Sequence, residues 1–299
     1  MAPQEADKRI ALTFDDVPRD AGAFLPVNER AAMLRSALVE AGVEQAAFFV
    51  NPGKFAAQPD RVADLIAYIA DGHVVANHSN THPSLSDVSA AEYLADIDAA
   101  EAWLRQLPNH RPWFRYPYLD EGRDDLAKRD ALRAGLAERG LSNGYVTVDA
   151  SDWFYEAAAV EARQAGRQID RNALRYLYIE SHVEAANFNY DLARRALGRS
   201  PAHVMLLHET DLAALWIVDL VRALKADDWT IVTADEAFAD PIAALAATYE
   251  TPSAQGTLTE QVAWQRDLPS PRWYARNDTE VARAEFDRRV LHLKPGGSE

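Results

Sequence analysis

The strongest constraint in this chain is an alternation: short apolar runs recur at residues 9–14, 46–50, 73–76, 112–114, 145–148, 203–207 and 230–232, separated by longer segments of helical period. Runs of this length, alternating with helical segments, are what parallel strands joined by crossover helices look like in sequence. The helical periods are clearest at 30–41, 61–70, 91–107 and 211–226. Over 91–107, Leu94, Ile97, Ala100 and Leu104 fall on one face, while Glu92, Asp96, Asp98, Glu101 and Arg105 fall on the side expected to meet water. A length of 299 residues suits a single α/β barrel, so one domain spanning 1–299 is expected, with its core over 9–240.

Two stretches break the alternation. Residues 154–200 read as a helical insertion, with helices at 171–181 and 185–197. Residues 241–299 form a C-terminal extension with Trp264, Pro269, Pro271, Trp273 and Tyr274, ending in a helix over 279–291. The extension reads as an arm packed on the barrel, with a flap over the site or a subunit contact as the alternatives.

A net charge of −15 would repel nucleic acid and anionic lipid, so neither is an expected partner. No apolar run is long enough to cross a bilayer. The short polar leader before Arg9 suggests that a secretion signal has been removed, giving an expected secreted or periplasmic location with a cytoplasmic one left open. The sequence leaves the oligomeric state open. With no cysteine, any metal must be held by nitrogen and oxygen.

Nearly every chemically distinctive cluster follows directly after an apolar run. Asp15 and Asp16 follow 10–14, His78 and His82 follow Val74 and Val75, and Arg115 follows Trp113 and Phe114. Asp149 and Asp152 follow 146–148, and His208 follows 204–207. In parallel α/β folds the carboxyl ends of the strands share one face, where ligands bind. His78 and His82 have the i, i+4 spacing that puts two imidazoles on one side of a helical turn. Adjacent Asp15 and Asp16 leave a strand in different directions, so one carboxylate can ligate a metal while the other serves as a base. Two imidazoles and one carboxylate, with positions left for water, describe a catalytic metal site.

Thr13-Phe14-Asp15-Asp16, His78-Ser79-Asn80-Thr81-His82-Pro83, Arg115-Tyr116-Pro117-Tyr118, Asp149-Ala150-Ser151-Asp152-Trp153 and Leu206-Leu207-His208 resemble, in order, the five motifs of the polysaccharide deacetylase family, the NodB-like carbohydrate esterases. The resemblance spans roughly residues 9–235. It implies a distorted parallel (β/α) barrel of seven or eight strands and a metal-dependent hydrolase that removes N- or O-acetyl groups from a carbohydrate. Under it, Asp15 matches the catalytic base, and Asp16, His78 and His82 match the ligands of a divalent ion, zinc first, with cobalt, nickel or manganese as alternatives. Arg115 would pair with Asp15, the Tyr118 N–H would donate to the oxyanion, and His208 would be the general acid oriented by Asp152. Trp153 and Leu206 would wall the pocket for the acetyl methyl group.

The chain departs from the family pattern at Glu209, where Asp is usual, and at Leu119, where Gly is common. Asp149 is expected to be a strand-end residue rather than a ligand, and Trp113, Trp216 and Trp229 to be core. His73, His110, His182, His203 and His292 are read as structural or surface residues. Three other readings remain: an amide hydrolase of the same family acting on a small or cyclic amide, a non-catalytic glycan-binding protein, and a non-haem iron oxygenase with a two-His-one-carboxylate triad.

Overall fold

A computed structural model describes residues 8–294; most of the polar leader, and with it part of the signal-peptide expectation, lies outside the described residues. Up to the middle of the chain the elements are β1 (Arg9–Val17), α1 (Val27–Ala41), β2 (Ala47–Val50), α2 (Arg61–Ala70), β3 (Val74–Asn77), α3 (Ala90–Leu104) and β4 (His110–Phe114), then β5 (Asp120–Arg123), α4 (Leu126–Glu138) and β6 (Ser142–Asn143). The helical insertion follows as α5 (Asp152–Gln164) and α6 (Arg171–Leu197), before β7 (Ala202–His208), α7 (Asp211–Ala226) and β8 (Thr230–Ile231). The extension holds α8 (Ala234–Phe238), α9 (Ala243–Ala246), β9 (Ala254–Gln255), α10 (Leu258–Gln265) and α11 (Thr279–Arg289).

The main sheet is parallel throughout and runs in the order β6-β4-β3-β2-β1-β7, with β8 added to the base of β1. Its edges approach one another through a single segment. At one end the Gly144 N–H donates to the Phe114 carbonyl of β4 (2.7 Å), and a few residues later Thr147 and Val148 donate to the Val204 carbonyl of β7 while Val148 accepts from Leu206. The stretch after α4 thus hands over from one edge of the sheet to the other and curls it into the distorted barrel that the family resemblance implies. Glycine is required at the crossing, since a Cβ on Gly144 would lie 2.6 Å from the Phe49 ring.

Both faces of the strands are covered, which explains why the runs are continuously apolar rather than alternating. Ile10, Leu12, Phe14 and Phe48 turn outward under α1, α2 and α7, with Phe14 and Phe48 stacked at 5.1 Å and Phe48 on Tyr68 at 4.1 Å. Ala47, Phe49, Ala76 and Trp113 turn inward, where Phe238 of α8 plugs the lower end, 4.2 Å from Trp113. Helix α1 shows how far packing governs. It has no capping side chain at Pro26, a loss of about 1 kcal/mol, yet it buries Leu34 and Leu38, each worth about 1.5–3 kcal/mol.

Three expectations need correction. Residues 171–181 and 185–197 are not two helices but the single α6, whose middle stays helical because Ser181 and His182 are buried, Ser181 against the Tyr155 hydroxyl at 3.1 Å. Glu101 does not face water: it is buried and accepts from Asn77, with Arg105 and His110 beside it. The run at 145–148 is not a regular strand: the strand there is β6 at Ser142–Asn143, and Val148 makes only an isolated parallel bridge to Met205. In addition the extension contributes a strand, as β9 pairs antiparallel with β5. Trp113, Trp216 and Trp229 are buried, as are His73, His182 and His203. His110 is half-buried and His292 lies at the surface beside Asp170.

Candidate active site and metal centre

Each motif sits at the carboxyl end of a strand or just beyond it, and the loops that follow bend sharply there. Asp16, Ser79, His82, Tyr118, Leu119 and Ser151 all have φ between 48° and 65° although none is glycine. Such positions cost about 1–3 kcal/mol each and persist only where the surroundings fix them. Around His78, the fixing groups are on the page. The Asn51 side chain donates to the carbonyls of His78 and Ser79, Asn77 Oδ1 accepts from the Ser79 N–H, and Asp96 accepts from the N–H groups of Asn80 and Thr81.

Asp16, His78 and His82 come together with one ligand atom each, all within 4.8 Å of one another. His82 Nε2 lies 3.2 Å and His78 Nε2 3.8 Å from Asp16 Oδ1. His78 Nδ1 donates to the Arg115 carbonyl at 2.9 Å, which leaves Nε2 with its lone pair toward the cluster. Burial holds the two imidazoles at about 3 and about 4, so both are neutral at pH 7 and able to ligate. Burial also works against the Asp16 carboxylate, but Lys54, His208 and Arg19 outweigh it and keep the group ionised. The donor set is therefore in the protonation state a divalent ion needs.

Asp15 lies next to this cluster and apart from it. Its Oδ1 accepts from Arg115 Nη1 at 2.7 Å, and its Oδ2 is 3.7 Å from His78 Nε2. Arg115 is itself fully engaged: it donates to the Thr13 hydroxyl and to the carbonyls of Gly144 and Tyr145, and stacks 3.8 Å over the Phe49 ring. Burial pushes the Asp15 carboxyl above the usual carboxylate range, with Arg115 and His208 opposing it. A carboxylate of raised basicity is a better proton acceptor.

Across the β1–β7 pair, Asp15 and His208 are register partners. Asp152 accepts from His208 Nδ1 at 2.6 Å with one oxygen and from the His208 backbone N–H at 2.8 Å with the other. Burial disfavours the charged imidazole, but Asp152 outweighs it and lifts His208 above its ordinary value. Asp149 accepts from the Ser151 N–H at the start of α5 and is pushed up to about 6 by burial. Tyr118 is more than half exposed, its ring edge-on to His82 at 4.7 Å; Trp153 is partly exposed, and Leu206 is buried.

Some residues at the site carry no mark in the sequence. Arg19 pairs with Asp16 Oδ2, and Lys54 lies 3.5 Å from Asp16 Oδ1. Arg19 follows its partner by three residues and could have been found on that spacing; Lys54, from the turn after β2, offers no such signal. Glu209, the departure beside His208, is buried and accepts from Arg61 Nη2 at 2.8 Å and from the Tyr68 hydroxyl at 3.1 Å. The extension reaches the same rim twice. Gly256 and Gln255 bond the carbonyls of Leu119 and Tyr118, and Asn277 lies 3.2 Å from the Ser151 hydroxyl. It is both an arm on the barrel and a border of the site.

The family profile for polysaccharide deacetylase matches residues 2–138. A chitooligosaccharide deacetylase of Bradyrhizobium is 34% identical over 113 residues, 36% of this chain and 46% of that protein. A chitin deacetylase of Colletotrichum lindemuthianum is 32% identical over 116 residues, 37% of this chain and 42% of that protein. The match thus spans less than half the length of these relatives. Among solved structures, a family 4 carbohydrate esterase from Streptomyces lividans in complex with acetate superposes with a TM-score of 0.50 at 22% identity, covering 78% of this chain and 96% of that one, a likeness of fold.

Proposed function

We propose that the chain, which matches the polysaccharide deacetylase profile over residues 2–138, is a metal-dependent deacetylase releasing acetate from an N-acetylated glycan of the chitooligosaccharide or peptidoglycan type. One juxtaposition carries the reading. A three-donor cluster of Asp16, His78 and His82 lies beside a separate carboxylate, Asp15, and a separate imidazole, His208, each with its own buried partner. A glycan-binding protein has no need of both, and the free Asp15 beside the triad in a parallel barrel argues against an oxygenase.

Asp16, His78 and His82 would hold the ion, zinc in this proposal. When bound, a divalent ion supplies polarisation of the acetyl carbonyl and lowers the pKa of coordinated water from about 15.7 toward 7. Asp15 accepts the proton of the attacking water, helped by its raised basicity, while Arg115 fixes its orientation. The new C–O bond forms at the acetyl carbon and the carbonyl oxygen gathers charge, which the Tyr118 N–H meets. His208, whose protonated form Asp152 favours, delivers a proton to the nitrogen as the C–N bond breaks, so that amine and acetate leave. Leu206 and Trp153 line the place for the methyl group.

The test is acetate release from acetylated chitin oligomers, peptidoglycan fragments, acetylated xylan and small amides, with and without chelator and with zinc, cobalt, nickel or manganese restored. Asp15→Asn should keep its metal and lose turnover by about 10²-fold or more. Near-normal acetate release by Asp15→Asn overturns the assignment of the base; activity confined to small or cyclic amides moves the substrate away from glycans.

A further inference from the structure

We infer that the C-terminal extension holds the oxyanion donor in place, with Gln255 as the positioning residue. This rests on the reading of the Tyr118 N–H as that donor. Tyr118 has φ 60° and ψ 16°, and Leu119 follows at φ 48°. Two consecutive residues with side chains in the left-handed region tend to relax unless something outside them prevents it. Burial does not prevent it here. The Tyr118 side chain is largely exposed and meets His82 only edge-on.

Within the turn the Leu119 N–H donates to the Tyr116 carbonyl at 3.0 Å and the Asp120 N–H to the Pro117 carbonyl, while the carbonyls of Tyr118 and Leu119 are held by the extension. Gln255 Nε2 donates to the Tyr118 carbonyl at 3.2 Å, and the Gly256 N–H donates to the Leu119 carbonyl at 3.2 Å. Both peptide units after the strained residues are thereby tied, one by a side chain and one by the backbone. Gly256 reaches its acceptor from φ 99°, a conformation open to glycine. Gln255 is in turn fixed from behind: it pairs in register with Asp120, and its carbonyl accepts from Gln261, whose own Oε1 accepts from Thr251 at 2.5 Å.

The frame continues to the barrel, where the Leu258 N–H bonds the Val146 carbonyl at 2.7 Å and the Thr259 hydroxyl bonds the Thr147 carbonyl at 3.1 Å. The closing segment of the barrel, the start of α10 and the Tyr118 turn are one connected unit, and Gln255 is its last side-chain link. A donor aimed in advance at the developing charge assists the transition state more than substrate binding.

Gln255→Ala should therefore lower kcat on an N-acetyl substrate by about tenfold, a fraction of what losing an oxyanion donor outright costs, with KM and melting temperature nearly unchanged. Affinity for a phosphonate mimic of the tetrahedral intermediate should fall by the same factor. Adding Leu119→Gly to Gln255→Ala should recover most of the loss, because glycine takes positive φ without a Cβ penalty. Wild-type kcat in Gln255→Ala, or a fall in kcat matched by a fall in melting temperature and unrelieved by Leu119→Gly, overturns the inference alone. A wild-type chain that releases no acetate from any substrate overturns the deacetylase reading and this inference with it.

Discussion

Replacing Asp152 by Asn tests the acid side of the site through stability as well as rate. Asp152 is fully buried and accepts twice from His208, at 2.6 Å from the ring and 2.8 Å from the backbone. Removing one member of a buried charged pair costs about 3–5 kcal/mol when the other is left charged. Asn keeps an acceptor oxygen, and His208 can escape by losing its proton, so the loss should be about 2–3 kcal/mol, or roughly 3–5 °C in melting temperature for a chain of this size. His208 titrates higher in the fold than its ordinary 6.5 because Asp152 outweighs burial. The charged pair therefore stabilises fully below 6.5, and that contribution fades as pH rises through the raised value. Asp152 titrates below its ordinary 3.8, so its own contribution is lost only in stronger acid. Thermal unfolding of metal-free wild type and Asp152→Asn at pH 6 and pH 9 should show a larger difference at pH 6. In kinetics, the alkaline limb of kcat should move to lower pH in the variant. A stability difference that grows toward pH 9 would mean that His208 is neutral in the native protein and would remove it as the acid.

Other outcomes follow from the same geometry. His78→Ala should reduce bound zinc by at least tenfold, measured by metal analysis after dialysis, because one of three converging donors is gone. His208→Ala should lose far more activity on amides than on activated aryl esters, whose leaving groups need no proton; equal losses on both would count against proton delivery. Gly22→Ala should destabilise by about 1–3 kcal/mol in chemical unfolding, since its Cβ would lie 2.1 Å from Glu156 Oε1 and 2.4 Å from the Asp211 carboxylate, which is pinned by Arg30 and two backbone N–H groups.

The central strands β1, β2, β3 and β7 were readable because burial on both faces makes them largely apolar runs, and most motif side chains were readable because they stand at the ends of such runs. Where neighbours set the structure, the sequence was silent. Glu101 lies on the polar side of a helix by period, yet Asn77, Arg105 and His110 surround it. α6 runs straight through 182–184, the gap expected between two helices, with His182 buried there and Ser181 just before it held against the Tyr155 hydroxyl. β5 reads Asp-Glu-Gly-Arg, the composition of a turn, and is a strand only because two residues from the far end of the chain pair with it. Lys54 joins the site for the same reason: a loop from a separate stretch brings it to Asp16, whereas Arg19 reaches Asp16 from three residues on in the same loop.

The place of β1 has a consequence for how the molecule is made. It is bonded on one side to β2 and on the other, residue for residue from Arg9 to Asp15, to β7, which begins at Ala202. During synthesis β1 must wait until residues 202–208 have been made before its second edge is covered, and non-local pairings of this kind form slowly. A nascent chain would meanwhile offer a bare, apolar β1 edge to its neighbours, the kind of surface that chaperones guard. A fragment ending near residue 138 would keep Asp15, Asp16, His78, His82 and Arg115 of the candidate site and still lack Asp152 and His208 together with the strand that covers that edge.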